Sequence, residues 1–205
     1  MPLRHSTNRE IEVKLRVSDV SGILRRLRSL GAFSRGRVLE RNALFDTPDS
    51  NLRRSGCLLR LRVETPAPSP PIRAGQSRAV LTTKVPITPG SRRSGALRYK
   101  EKLEREVEVW NPEAWPTQLR SLGFRRAFRY EKYRSSFVLR GLHIDLDETP
   151  VGVFLELEGA PRAIDRTARA LGFSSKDYIR ATYWDVYAAD CRRRGIRPKN
   201  LLFRP

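Results

Sequence analysis

Charged and apolar side chains alternate position by position in stretch after stretch of this chain, and that period of two constrains the fold more than any other feature. Successive side chains of a β-strand point to opposite faces. Over residues 9–17, Ile11, Val13, Leu15 and Val17 therefore share one face, and Glu10, Glu12, Lys14 and Arg16 share the other. Alternating or β-rich stretches at 38–46, 57–64, 78–85, 97–109, 126–139, 142–147 and 152–159, separated by turn residues, bring the predicted number of strands to eight.

Between some of these stretches the period becomes helical. Ser18-Asp19 offers caps ahead of Val20, Ile23, Leu24, Leu27 and Leu30, and Gly31 ends the pattern. Helices are also predicted at 112–122, 161–171 and 175–190, with Pro112 and Pro161 near first-turn positions and Pro116 set against an unbroken second helix. Glu10-Ile-Glu12, Glu106-Val-Glu108 and Glu156-Leu-Glu158 each lead into a helix that ends in Leu-Gly, at Gly31, Gly123 and Gly172. Three strand-helix units are implied. The segments 65–77 and 86–96, rich in Pro, Gly, Ser and Arg, read as poorly ordered excursions from the rim.

The apolar strand faces should meet the helices. The opposite faces carry Glu10, Glu12, Lys14, Arg60, Arg62, Lys84, Lys100, Lys102, Glu104, Glu106, Glu108, Lys132, Arg134, Asp145, Asp147, Glu156 and Glu158. For one strand taken alone, this equally fits an antiparallel sheet with one solvated face. Eight strands favour closure, because a barrel removes exposed edges and turns the polar faces inward. The expected class is thus α+β, a closed eight-stranded antiparallel β-barrel with helices packed outside.

Charges facing each other in an interior need a reason, since unpaired charge there is costly. Carboxylates from several strands can share divalent cations, while Lys and Arg opposite them hold phosphate oxygens. A metal-polyphosphate complex neutralises both sets, and phosphoryl transfer needs little beyond positioning and charge stabilisation. His5 and His143 are isolated, and no histidine or cysteine nucleophile is required. The excess of 41 Lys+Arg over 22 Asp+Glu, a formal +19, also calls for anionic company. Part of that excess lies in Arg192, Arg193, Arg194, Arg197, Lys199 and Arg204, so the chain divides into a barrel unit at 1–190 and a basic extension at 191–205 that reads as solvated. Cys57 and Cys191 lack metal-knuckle spacing, and no signal-like or membrane-spanning run occurs; a cytoplasmic protein without membrane contact is expected.

Glu10-x-Glu12-x-Lys14 resembles the signature of the CYTH superfamily, the triphosphate tunnel metalloenzymes. Leu44-Phe45-Asp46-Thr47-Pro48-Asp49, Leu59-Arg60-Leu61-Arg62, Thr82-Thr83-Lys84 and Gly152-x-Phe154-x-Glu156-x-Glu158 follow in an order similar to that family's, so the resemblance spans about residues 8–188. It implies a triphosphate tunnel, dependence on Mg²⁺ or Mn²⁺, and hydrolysis of inorganic triphosphate, thiamine triphosphate or a nucleoside triphosphate. Glu10, Glu12 and Lys14 would be catalytic. Glu10, Glu12, Glu156 and Glu158 would hold metal, with Glu106, Glu108, Asp145 and Asp147 completing its shells. Lys14, Arg60, Arg62, Lys84, Lys132 and Arg134 would hold phosphates. Lys100, Lys102 and Glu104 either line a tunnel mouth or are solvated, while Tyr178 and Trp184 read as packing residues. Two rivals stay open: a class IV adenylate cyclase, and a non-enzymatic module contacting polyphosphate or nucleic acid through its basic surface and tail. The family pattern lacks this chain's strong positive charge, Pro-rich loop and basic tail. Oligomeric state is not legible.

Overall fold

A computed structural model describes residues 6–67, 76–87 and 99–204, with side chains from Arg9 onward. Its elements, in chain order, are β1 (Ser6–Val17), α1 (Val20–Ser29), β2 (Phe33–Asp46), α2 (Asn51–Arg54), β3 (Leu58–Pro66), β4 (Arg78–Pro86), β5 (Lys100–Glu108), α3 (Trp115–Ser121), β6 (Arg125–Leu139), β7 (Leu142–Thr149), β8 (Gly152–Glu158), α4 (Pro161–Ala170), a 3₁₀ turn at Ser175–Asp177, and α5 (Tyr183–Arg193). The eight strands close into a barrel in the order β1-β5-β4-β3-β2-β6-β7-β8. Every strand pair is antiparallel. The bulk of both predicted excursions, at 68–75 and 88–98, lies outside the described residues.

Alternation puts the apolar faces outside and roofs them with helices. Val13, Leu15 and Val17 of β1 pack with Ile144 and Leu146 of β7, Leu155 and Leu157 of β8, Ile23 and Leu27 of α1, and Ile164 and Ala168 of α4. A second layer joins Leu119 of α3 to Phe45, Leu59, Leu61 and Ala79. Each fully buried Leu or Ile in these layers is worth roughly 1.5–3 kcal/mol over exposure. The helices thereby hold the polar faces to the interior.

The three Leu-Gly repeats are equivalent helix stops. Gly31, Gly123 and Gly172 have φ of +78°, +87° and +91°, and the amides of Ala32, Phe124 and Phe173 bond back to the carbonyls of Leu27, Leu119 and Ala168. This left-handed termination satisfies the last carbonyls of α1, α3 and α4. Pro116 does not interrupt α3, because that helix starts at Trp115 and the proline occupies its first turn.

The end of the chain departs from expectation. In place of one helix over 175–190 there are the 3₁₀ turn, an extended stretch and α5, with reciprocal capping boxes at Ser174/Asp177 and Thr182/Asp185. Between the two caps the Ile179 amide donates to the Lys14 carbonyl at 2.7 Å, serving a stretch of β1 beyond its pairing with β5. Beyond 190 the chain is not uniformly solvated: α5 continues to Arg193, Cys191 has no exposed surface, and Leu201 is 2% exposed. Leu201 bridges Tyr130 in parallel and exchanges backbone bonds with Arg129 and Glu131, along the part of β6 that outruns β7. That free edge would otherwise leave N–H and C=O groups unpaired. Among the described residues no helix is long and apolar enough to cross a membrane.

Candidate active site

The register of β1 sets the first layer of charge. Lys14 lies opposite Glu156 of β8, Glu12 faces Glu158 on one side and Lys100 on the other, and Glu10 faces Lys102. The Lys14 ammonium sits 2.8 Å from Glu156, and 4.2 Å from the centre of the Tyr183 ring. Lys84 donates to both Glu10 oxygens at 2.6 and 2.7 Å, and Lys100 donates to Glu12 at 2.7 Å. Glu104, the cross-strand partner of Lys84 on β5, lies 3.1 Å from it.

Behind this layer is a denser one. Arg134 clasps Asp147 through Nε and Nη2, at 2.7 and 2.6 Å, and its Nη1 lies 2.7 Å from Asp145. Lys132 and the Tyr183 hydroxyl each donate to Asp147 Oδ2 at 2.7 Å. Glu40, 1% exposed, lies 3.4–3.6 Å from Arg134, Lys132 and Arg62. Those cations hold the Glu40 carboxyl well below its usual range, although burial alone would raise it.

These layers border a cavity of about 560 Å³. Of the residues expected to act, Glu10, Glu12, Lys14, Arg60, Lys84, Lys132, Arg134, Glu156 and Glu158 line it, joined by Lys100 and Lys102. Five expected residues do not. Arg62 is turned to Glu64, Glu106 and Glu40, at 2.9, 3.1 and 3.6 Å. Glu106 accepts from Thr82 at 2.9 Å, and Asp145 accepts from Ser136 at 2.6 Å. Asp147, with no exposed surface, is consumed by Lys132, Arg134 and Tyr183. Glu108 lies at the exposed rim, 3.7 Å from Arg78. Glu106, Glu108, Asp145 and Asp147, expected to complete a metal shell, thus do not border the cavity and are engaged by neighbouring side chains. Strand parity turns them to the right face, but tilt and neighbouring bases place them outside the cavity.

The cavity acids are unequal. Burial, with the Glu10 carboxylate beside it, raises Glu158 to about 7, and among the described residues Glu158 has no ion-pair partner. Burial likewise raises Glu10 to about 6 against the pull of Lys84. At Glu12 burial is outweighed by Lys100, which brings the carboxyl down to about 2. Lys102, buried beside Lys100 and Lys84, falls to about 8. Negative charge is thus incompletely neutralised around Glu10 and Glu158. Among the described residues no three acids, histidines or cysteines converge closely enough to hold a metal ion alone.

Two participants escaped the sequence reading. Glu40 could have been found from its even spacing with Asn42, two polar residues in phase inside a β-rich run. Tyr183 offered no signal, because only the end of the extended 178–182 stretch decides that it, and not Trp184, reaches Asp147.

A family model described as the CYTH domain matches residues 8–183. Among solved structures, the PH1819 protein of Pyrococcus horikoshii OT3 superposes with a TM-score of 0.70 at 22% identity, covering 88% of this chain and 99% of that one. A candidate adenylate cyclase from Vibrio parahaemolyticus gives 0.67 at 20% identity, over 86% and 96% of the two chains. HpAC1 from Hippeastrum, described as revealing a dominant triphosphatase activity, gives 0.59 at 19% identity over 92% and 97%. No curated protein matches the sequence. At these identities the likeness to the solved structures is one of fold.

Proposed function

The chain belongs to the CYTH domain family, and from that premise we propose that it is a divalent-cation-dependent hydrolase removing the terminal phosphoryl group of a triphosphate. The observation that carries this reading is the convergence of Glu10, Glu12, Glu156 and Glu158 with Lys14, Arg60, Lys84, Lys132 and Arg134 around one cavity.

The donor set fits Mg²⁺ or Mn²⁺. Carboxylate oxygens are hard ligands, and Glu158, without an ion-pair partner among the described residues and raised by burial and then by the like charge of Glu10, is an acid that a cation would relieve. Since no three of them converge on one point, Glu10, Glu12, Glu156 and Glu158 would supply the ion with only part of its ligands, the remainder coming from water and substrate oxygens, as is usual for Mg²⁺. Bound there, the ion supplies Lewis-acid polarisation and a water of lowered pKa.

The protein's own part is positioning and charge. Lys14, Lys132 and Arg134 receive phosphate oxygens from one side and Arg60 and Lys84 from the other. Arg60 Nε is buried with no hydrogen-bond partner among the described residues, a donor that a phosphate oxygen would satisfy. Asp147 and Glu40 orient Lys132 and Arg134 from behind, so these cations need little rearrangement when substrate arrives.

The test is phosphate release from a panel of triphosphates with Mg²⁺, with Mn²⁺ and with EDTA. Metal-dependent release of phosphate is expected. Turnover that survives EDTA would sink the reading, and cyclic AMP with pyrophosphate from ATP would replace it by the cyclase.

A further inference from the structure

Two of the cavity's cations lie over one aromatic ring. Lys14 Nζ is 4.2 Å and Lys132 Nζ 5.0 Å from the centre of the Tyr183 ring. The three residues are 4%, 2% and 8% exposed, so these contacts are made away from water. The Tyr183 hydroxyl donates to Asp147 Oδ2 at 2.7 Å, the same oxygen that Lys132 binds. The ring stands edge-on to Phe154, with centres 5.7 Å apart, and is tilted against Tyr130 at 5.8 Å. Three neighbours thereby fix its orientation.

Packing alone does not account for this placement. An ammonium taken out of water needs compensation, and an aromatic face supplies it through the ring quadrupole at distances up to about 6 Å. A carboxylate in the same position would also compensate, but it would claim N–H donors and set another negative charge against the phosphates. The ring does neither, since it is uncharged and leaves the three donors of each ammonium to oxygen acceptors. Lys14 depends on it most. Among the described residues its ion-pair partner is Glu156, at 2.8 Å, and Glu156 is shared with Lys132 and Arg134.

On the triphosphatase reading given above, we infer that Tyr183 is a positioning residue for the phosphate end: its ring keeps Lys14 and Lys132 charged and in place while leaving their donors for phosphate oxygens. The residue is delivered by the C-terminal part of the chain. It opens α5 directly after the cap at Thr182, and it shares an apolar cluster with Leu201. Phosphate affinity therefore depends on an uncharged side chain of the last helix as well as on the charged barrel wall. A desolvated contact of this kind is worth about tenfold in an equilibrium constant.

The experiment measures the calorimetric Kd for inorganic triphosphate in EDTA, beside kcat/KM with Mg²⁺. Tyr183→Leu, which removes the ring, should raise Kd by about tenfold to a hundredfold, and Tyr183→Phe, which loses only the bond to Asp147, should stay within about threefold of wild type. In a Lys14→Met background the effect of Tyr183→Leu should shrink, because one of the two cations is gone. Tyr187→Leu opens the same apolar cluster at a ring without a cation over it and should leave Kd unchanged, which separates lost packing from lost charge compensation. If Tyr183→Leu fails to fold, phenylalanines of rising ring fluorination at position 183 keep the shape and weaken the negative face, and Kd should rise along that series. A flat series, wild-type binding by Tyr183→Leu, or a loss undiminished in the Lys14→Met background overturns the proposal. Binding that depends on Tyr183 without any turnover fails the triphosphatase reading and leaves the positioning role standing; turnover with a flat series does the reverse.

Discussion

At the scale of single residues, some side chains line the cavity and others hold those side chains in place behind it. Lys14→Ala removes a buried charge from the cavity wall and should lower kcat by about 10²–10³-fold, the usual cost of one preorganised electrostatic donor, with some loss of stability because Glu156 loses a partner at 2.8 Å. Asp147→Ala removes the acceptor that Lys132, Arg134 and Tyr183 share and leaves the two buried cations with Glu40, Glu156 and, for Arg134, Asp145 as their remaining acids. It should destabilise the fold by about 3–5 kcal/mol, read as a lower midpoint in urea. A carboxylate serving metal alone would not carry that cost. Protonation sets a further test. Glu10 and Glu158 titrate at about 6 and about 7 and must be ionised to hold a cation, so kcat/KM should rise with pH across that window. The sign is opposite for the metal-free fold. A carboxyl raised from 4.5 to about 7 favours the folded state fully below its unfolded value and loses that contribution as pH rises through the folded one. The gain in Tm on adding Mg²⁺ should therefore grow between pH 6 and 8; a flat or falling gain would remove Glu158 from the metal site. Glu10, Glu12, Lys14, Glu156 and Glu158 were legible from parity and motif, whereas the withdrawal of Asp145, Asp147 and Glu106 was not, because parity says which face a residue is on and not what it meets there.

At the scale of elements, the strands and three helix stops follow from local rules, and the C-terminal segment does not. Period two and the Leu-Gly endings act over a few residues, so β1, α1, α3 and α4 could be read from their own stretches of chain. The fate of Ile196–Phe203 depends on β6 being longer than β7, a fact about a hairpin far from it in the chain. Leu201 fills a site beside Phe128, Tyr130 and Tyr183, and thereby holds α5 and Trp184 at the cavity. Leu201→Ala should cost about 2–5 kcal/mol in denaturant unfolding. If it costs nothing, the segment merely rests on the barrel. The β6–β7 turn gives an opposite test: Arg140 and Gly141 both have positive φ, +49° and +82°, and a two-residue hairpin of this kind favours Asn at the first position. Arg140→Asn should raise Tm by a few degrees.

At the scale of the whole molecule, a formal charge of +19 would favour the polyanionic substrate proposed above. Long-range attraction of this kind speeds encounter and is screened by salt, so kcat/KM should fall several-fold between 50 and 200 mM NaCl while kcat changes little. A kcat/KM indifferent to salt would confine the basic surface to another role, such as contact with nucleic acid. The sequence by itself determined the number of strands, their in-and-out parity, the helix ends and the mixture of charge on the inward faces, since each of these is set by neighbours along the chain. Tertiary structure alone decided which charges line the cavity and which neutralise one another behind it, that Tyr183 and Glu40 join them, and that aromatic carbon faces the phosphate end. Those outcomes turn on strand tilt, register and edge length between segments far apart in sequence, where an ångström of displacement separates an ion pair from an open ligand site.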